Sequence, residues 1–175
     1  LILKQEDDKW KRLTINSNHE FYGFCGFGPD EMYICGSDGI IYKFNGNVVT
    51  EMPTRTQDFF LDVWGPSKEM VFAVGDLGMV MFNDGEQWTR IESGTEEYLL
   101  SIWGSSANNI FAVGDNATIL HYDGKSWRAM DTETDKYLTK VRGLRSDCIY
   151  AVGDDGLVIR FDGEKWNDMS LGEGA

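Results

Sequence analysis

Basic residues are scarce in this chain: 16 lysines and arginines stand against 29 aspartates and glutamates, a net charge of −13. So acidic a surface repels a phosphate backbone, which argues against nucleic acid as a partner. Cysteine is limited to Cys25, Cys35 and Cys148, an odd number that forms no closed disulfide framework. Histidine is limited to His19 and His121; neither has a nucleophile partner in view, so no catalytic triad is read, and no metal-ligand spacing occurs. No apolar run is long enough to span a membrane as a helix.

What the chain has instead is a repeat of 39 residues. Gly36, Gly75, Gly114 and Gly153 are spaced by that step, as are Phe24-Cys25-Gly26, Val63-Trp64-Gly65, Ile102-Trp103-Gly104 and Val141-Arg142-Gly143. Trp10, Val49, Trp88, Trp127 and Trp166 keep the same register. In the unit 98–130, four runs of strand length follow one another: 98–104, 109–114, 118–122 and 126–130. The second, containing Ile110-Phe111-Ala112-Val113, has no polar gap and reads as a strand covered on both faces. Asp123-Gly124 between the third and fourth runs suits a tight hairpin turn. The four runs, called a to d, fill the repeat and leave no room for an ordinary helix.

Four short antiparallel strands at a period near 40 residues predict an all-β fold, a β-propeller. The units are 20–52, 59–91, 98–130 and 137–169, preceded by a half blade at 1–13 that aligns with strands c and d. The expectation is four full blades plus half a blade, part of a larger propeller. Such an open arc is expected to meet a missing blade segment or another chain at the face beneath residues 1–13. Phe72, Val74, Phe111, Val113, Tyr150 and Val152 are the expected core, and the strand b glycines are expected to reverse the chain.

Trp103-Gly104-Ser105-Ser106, Phe111-Ala112-Val113-Gly114-Asp115 and Ile119-Leu120-His121-Tyr122-Asp123-Gly124-Lys125-Ser126-Trp127 resemble the repeat of bacterial propellers grouped with photosystem II assembly-factor-like and BNR-like (sialidase-type) proteins. A second resemblance is to tectonin-type propeller lectins. The first implies a secreted or cell-surface location, and the group hosts many unrelated roles. The sialidase Asp-box places its Asp five residues before its Trp, whereas Asp123 precedes Trp127 by four. The arginine cluster with paired Tyr and Glu that sialidase catalysis needs is not found, so the chain is read as a non-enzyme.

Three groups of residues are candidate sites. Asp76, Asp115 and Asp154 follow the strand b glycine and should share one acidic rim with the d to a loops, where they could meet a basic protein partner; clustered oxygens also suit a hard cation such as calcium. Hydrogen bonding within their own turns explains the same aspartates. Asp62, Lys140 and Arg142 on the innermost strand could meet a ligand in the central channel or form salt bridges between blades. Trp88, Trp127 and Trp166 could stack on sugars in a lectin, or simply pack. The leading reading is a non-catalytic scaffold binding a protein through acidic rims, with a glycan-binding propeller as the alternative and a glycosidase-like enzyme as the third.

Overall fold

The second strand of each unit is apolar without interruption, so it is stable only when both its faces are covered, and that requirement organises the chain. The computed structural model describes residues 2–13, 15 and 17–170. A two-stranded hairpin, β1 (Ile2–Glu6) and β2 (Lys9–Leu13), precedes four four-stranded antiparallel sheets. Blade 1 contains β3 (Phe21–Gly28), β4 (Glu31–Gly36), β5 (Ile41–Phe44) and β6 (Val49–Met52). Blade 2 contains β7 (Phe60–Ser67), β8 (Met70–Gly75), β9 (Val80–Asn83) and β10 (Trp88–Ile91). Blade 3 contains β11 (Leu99–Ser106), β12 (Asn109–Gly114), β13 (Ile119–Tyr122) and β14 (Trp127–Ala129). Blade 4 contains β15 (Leu138–Arg145), β16 (Cys148–Gly153), β17 (Val158–Phe161) and β18 (Trp166–Asp168). Each sheet is a simple meander, with its four strands paired in chain order. The architecture is an all-β propeller of four full blades and a partial one.

Strand boundaries depart from expectation at one repeated place. The first strand of each blade runs past its Gly into the polar residues that follow, with a register shift at Gly104/Ser106 and again at Gly143/Arg145. The bulge falls at Ser105 and lets Ser106 pair with Asn109, so the expected loop shrinks to a tight turn.

Alternation along the second strand divides its side chains between two neighbours. Phe72 and Val74 of blade 2 pack with Leu99, Ile102, Ile110 and Ala112 of blade 3, while Val71 and Ala73 pack with Tyr33 and Cys35 of blade 1. Phe111 and Val113 repeat the contact against Leu138, Val141, Ile149 and Ala151 of blade 4. One aromatic pair recurs at each seam: Tyr33 with Trp88, Phe72 with Trp127 and Phe111 with Trp166. Their ring centroids lie 6.0, 5.9 and 5.8 Å apart, with interplanar angles of 85°, 88° and 84°. These are edge-to-face contacts within the favourable range for aromatic pairs.

The burial expectation holds for Phe72, Val74, Phe111 and Val113, all fully buried. It fails for Tyr150 and Val152, each 40% exposed. They occupy the same strand positions as the buried four, but no described residue packs over that face of blade 4. At the other end, the hairpin covers only the outer part of blade 1. Lys4 Nζ lies 5.4 Å over the Phe44 ring and 3.2 Å from Asp30 Oδ1. The inner part stays open as a cavity of about 300 Å³ lined by Leu3, Phe21, Phe24, Met32 and Ile34. Among the described residues no apolar cluster joins blade 4 to blade 1, so the arc is open.

The glycines that end the second strand do a different job from the one expected. Gly75 and Gly153 have φ of −174° and −157°, extended values that any residue adopts. Glycine is needed there because a Cβ would overlap the carbonyl oxygen of the residue before the first strand: Glu20, Phe59, Tyr98 or Tyr137. That oxygen accepts a hydrogen bond from the next residue's N–H, as in Asp115 N to Tyr98 O at 3.0 Å. The positive φ of the turn falls later, at Asp38, Leu77, Asn116 and Asp155.

Phe111→Ala is expected to lower stability by about 3–5 kcal/mol, the usual loss for a large aromatic removed from a packed core. Tyr150→Ala, at the equivalent position on the bare face, is expected to lose less than about 1 kcal/mol. Urea unfolding of the two variants checks this; equal losses would mean that both faces are covered.

Candidate functional site

Adjacent blades set their first strands side by side, so one column of the repeat becomes a row across the channel wall. Gly23, Asp62, Ser101 and Lys140 form such a row on β3, β7, β11 and β15. The Asp62 carboxylate is 3% exposed. Its Oδ2 accepts hydrogen bonds from Ser101 Oγ at 2.9 Å, Ile102 N at 3.2 Å and Lys140 Nζ at 3.0 Å, and its Oδ1 accepts one from Val63 N at 3.1 Å. Arg142 Nη1 stands 3.6 Å from the same oxygen. It donates to the Val141 carbonyl at 2.7 Å and the Ile102 carbonyl at 3.1 Å.

The structure therefore brings Asp62, Lys140 and Arg142 together, as their shared register predicts. Three of these bonds fall on Oδ2 and one on Oδ1, and the side chain is 4% exposed, so Asp62 is spent on the fold and is not open to a ligand. What the cluster does is tie blades 2, 3 and 4 through one buried oxygen. The Lys140 and Arg142 side chains keep 46% and 52% of their surface exposed toward solvent. Gly23 completes the row because a Cβ there would lie 2.9 Å from the Asp62 Cα.

The second group lies on the rim formed by the loops after the second strand and between blades. Asp76 accepts a hydrogen bond from Phe59 N at 3.4 Å. The Asp115 and Asp154 carboxylates make neither a hydrogen bond nor an ion pair among the described residues, their turn bonds being made by the backbone alone, so side-chain bonding within the turn does not explain them. Burial raises the Asp76 carboxyl above the ordinary carboxylate range, with Asp58 adding to the rise. Burial also raises Asp115, with the charges of Glu97 and Asp154 adding to it. That mutual influence puts the three aspartates on one rim with the acids of the interblade loops. No group of three or more acids, cysteines or histidines converges closely enough to hold a metal ion among the described residues, so the geometry gives a calcium site no support.

The role of turn acceptor belongs to other aspartates. Asp123 Oδ1 accepts from Lys125 N at 2.9 Å and Ser126 N at 3.0 Å, and Asp84 and Asp162 repeat the pattern. Asn45 does the same in blade 1, accepting from Val48 N at 2.9 Å. These backbone donors stabilise the ionised form and hold the Asp162 carboxyl down at about 2.

The third group is not available at the surface. Trp88, Trp127 and Trp166 are 6–7% exposed, each set edge-to-face against the second-strand aromatic of the preceding blade. Their expected role in stacking on sugars is corrected to packing, because neither ring face is free for a sugar. The position one turn inward, Trp64 and Trp103, is likewise structural. Each lies on the glycine of the next blade, so that a Cβ at Gly104 would come 2.7 Å from Trp64 Cη2 and one at Gly143 2.6 Å from Trp103 Cζ3. The sequence showed both columns but not that they reach across the seam. A constant 55-residue spacing between Tyr33 and Trp88, Phe72 and Trp127, and Phe111 and Trp166 is the signal that held this pairing.

No family model matches the chain, and no curated protein matches it. Solved structures do, as folds. A structure of YCF48 bound to D1 peptide is 14% identical with a TM-score of 0.68, over 94% of this chain and 58% of that one. YCF48 from Cyanidioschyzon merolae is 13% identical with a TM-score of 0.71, over 93% and 60%. The WD40 repeats of RRP9 are 12% identical with a TM-score of 0.77, over 93% and 55%. The chain thus spans between half and two thirds of the length of these propellers. It is an arc of the same curvature.

Two outcomes follow from this geometry. Asp62→Ala is expected to lower stability by about 1–3 kcal/mol, since it leaves buried donors without a charged acceptor. Lys140→Ala, whose ammonium is half exposed, should lose less than about 1 kcal/mol; denaturant unfolding reads both. The depressed carboxyl of Asp162 contributes stability that is complete above the unfolded value near ~3.9 and is lost as pH falls toward about 2. Asp162→Asn keeps the turn, as Asn45 does, so its thermal midpoint should fall less steeply than wild type across that window. Identical slopes would remove Asp162 as a source of acid sensitivity.

Proposed function

We propose that this propeller is a non-catalytic binding scaffold, and that its acidic rim takes a basic segment of a partner protein. The observation that carries the reading is the imbalance of that rim. Between residues 17 and 157, the loops after the second strands and between blades hold 13 acids, among them Asp58, Asp76, Glu97, Asp115, Asp135 and Asp154, against two bases, Arg55 and Lys136. The rim has few internal partners for them: Lys136 Nζ lies 3.6 Å from Asp155, and His19 Nδ1 3.1 Å from Asp38.

The opposite rim differs in kind. Several of its acids are paired with neighbouring bases, Asp30 with Lys4, Glu31 with Lys43 and Lys68, Asp123 with Arg128 and Asp147 with Arg145, while Asp84 and Asp162 accept from the backbone of their own turns. Unpaired carboxylates on a rigid rim attract a cationic segment, strengthen its approach and disfavour acidic competitors. A similar fold solved with a peptide bound, YCF48 with D1 peptide, supports a peptide ligand for this architecture. The glycan reading has no such support, because the tryptophans it needs are covered.

Fluorescence anisotropy with a lysine- and arginine-rich peptide tests the proposal. Binding should weaken steeply as salt rises. It should also weaken as pH falls, because protonation of the raised Asp76 and Asp115 carboxyls removes the attracting charge. Asp115→Asn with Glu97→Gln should weaken it by roughly two- to thirtyfold, on the scale of about 0.2–1 kcal/mol for each of two exposed charges. Glu86→Gln on the opposite rim should leave it unchanged. Salt-independent binding, or equal effects from the two rims, would overturn the assignment.

A further inference from the structure

The three seams between full blades share a fold but not a charge. Two positions of the repeat meet at the outer edge of each seam, one in the loop that leaves the earlier blade and one on the last strand of the later blade. Arg55 and Arg90 hold them between blades 1 and 2, Gly94 and Ala129 between blades 2 and 3, and Glu133 and Asp168 between blades 3 and 4. The same pair of places is thus doubly positive, neutral and doubly negative. Packing does not choose among these, since all three seams close with the same edge-to-face aromatic contact. Between blades 1 and 2, Arg90 is the cross-strand neighbour of Met81 and stands two residues beyond Trp88, so alternation along the strand turns it to the face that meets blade 1. Arg55 arrives from the blade 1 loop. Together they line a cavity of about 440 Å³ whose apolar floor is Met79, Met81 and Trp88.

The fold does not explain either arginine. In a chain with 29 acidic residues, neither makes a hydrogen bond or an ion pair among the described residues. Two like charges about one cavity repel each other. Arg55 also has a φ of +62°, a left-handed conformation that the next seam meets with glycine, Gly94 at +83°, and a side chain is strained there. We infer that this cavity is a binding site for a small organic phosphate monoester, with the phosphate held between the two guanidinium groups and the organic part set on Met79, Met81 and Trp88. A guanidinium is a planar fork of five N–H donors, and a single fork already satisfies one edge of a carboxylate. Two forks that arrive from a loop and a strand suit an anion with three terminal oxygens out of one plane. Their two charges match a phosphate monoester, which approaches two negative charges at neutral pH. The volume falls within the range of about 300–1,000 Å³ typical of small-molecule sites. The site is separate from the reading of the acidic rim and does not rest on it.

Isothermal titration calorimetry with phenyl phosphate, inorganic phosphate and benzoate tests this. Phenyl phosphate is expected to bind at one site per chain. It should bind at least about tenfold more tightly than benzoate, which offers one planar edge, and than inorganic phosphate, which has no apolar part to set on the floor. Arg55→Gly and Arg90→Ala give each place the residue found at the next seam, so the fold tolerates both. Each should weaken phenyl phosphate binding by at least about tenfold. Without ligand, the thermal midpoint should hold for Arg90→Ala and hold or rise for Arg55→Gly, because glycine relieves the left-handed backbone. Arg128→Gln, on the matching outer strand of blade 3, should leave binding unchanged. Wild-type binding that does not saturate by about 10 mM would overturn the inference. So would binding that survives both arginine substitutions, or benzoate binding as tightly as phenyl phosphate. A lower midpoint for Arg55→Gly would also overturn it, since the arginine would then serve the fold.

Discussion

The seam between blades is the contact on which the rest of this structure depends. A single four-stranded sheet of this sequence has two apolar faces and only one chain's worth of backbone hydrogen bonds, so in isolation it would leave both faces in water. Stacking removes them in pairs, and each face burial is shared between neighbours, as in other repeat arrays whose stability is a sum of units and interfaces. Two fittings make the stacking specific rather than merely greasy. The second-strand aromatic receives the edge of the next blade's tryptophan on the outer side, and Trp64 or Trp103 lies on the next blade's glycine on the inner side. The outer tryptophan reaches back to the preceding blade and the inner one forward to the next, so the two faces of a blade carry different halves of each fitting and the array has a polarity.

That polarity explains how the functional surfaces are divided. Residues that serve the seams have little freedom to vary, and they include Trp88, Trp127 and Trp166 and the glycines facing Trp64 and Trp103. The channel wall is freer, yet the row from Gly23 to Lys140 is filled by a buried carboxylate and its donors. Replacing a hydrophobic contact with a buried charge adds stability only when the charge is fully hydrogen-bonded, and Asp62 meets that condition with partners from three blades. The loops of the two rims carry no such duty. Charge accumulates there, and it goes unpaired on one rim because the bases of this chain stand on the outer strands near the other.

Much of this was legible from spacing alone. A strict 39-residue step fixes the strand order, the turn positions and the columns, so the propeller and the convergence of Asp62, Lys140 and Arg142 could be read without coordinates. Three things could not. Periodicity shows that Tyr33, Phe72, Phe111 and Tyr150 are equivalent by position, and it is blind to what packs on each; among the described residues nothing packs over Tyr150 as blade 2 packs over Tyr33. The glycines ending the second strands look like turn glycines, because sequence does not show a carbonyl oxygen lying where a Cβ would be. The aspartates of the two kinds of turn look alike as well. Asp123 serves the backbone while Asp115 does not, since only the tight turn between the third and fourth strands points two N–H groups back at its own first residue.

The ends of the arc show what the polarity of the seam implies for a partial ring. A symmetric sandwich with a bare face can hide it against an identical face. A polar stack cannot, because its two faces differ, and two copies of the same face set together would bring Tyr150 against Tyr150 with no tryptophan between. The face of blade 4 that carries Tyr150 and Val152 is thus specific in what can pack on it. An apolar surface is usually a hazard of indiscriminate association. Here the same geometry that builds the propeller restricts it, since an incoming surface must offer an aromatic edge at one point and an aliphatic side chain at another before either is buried.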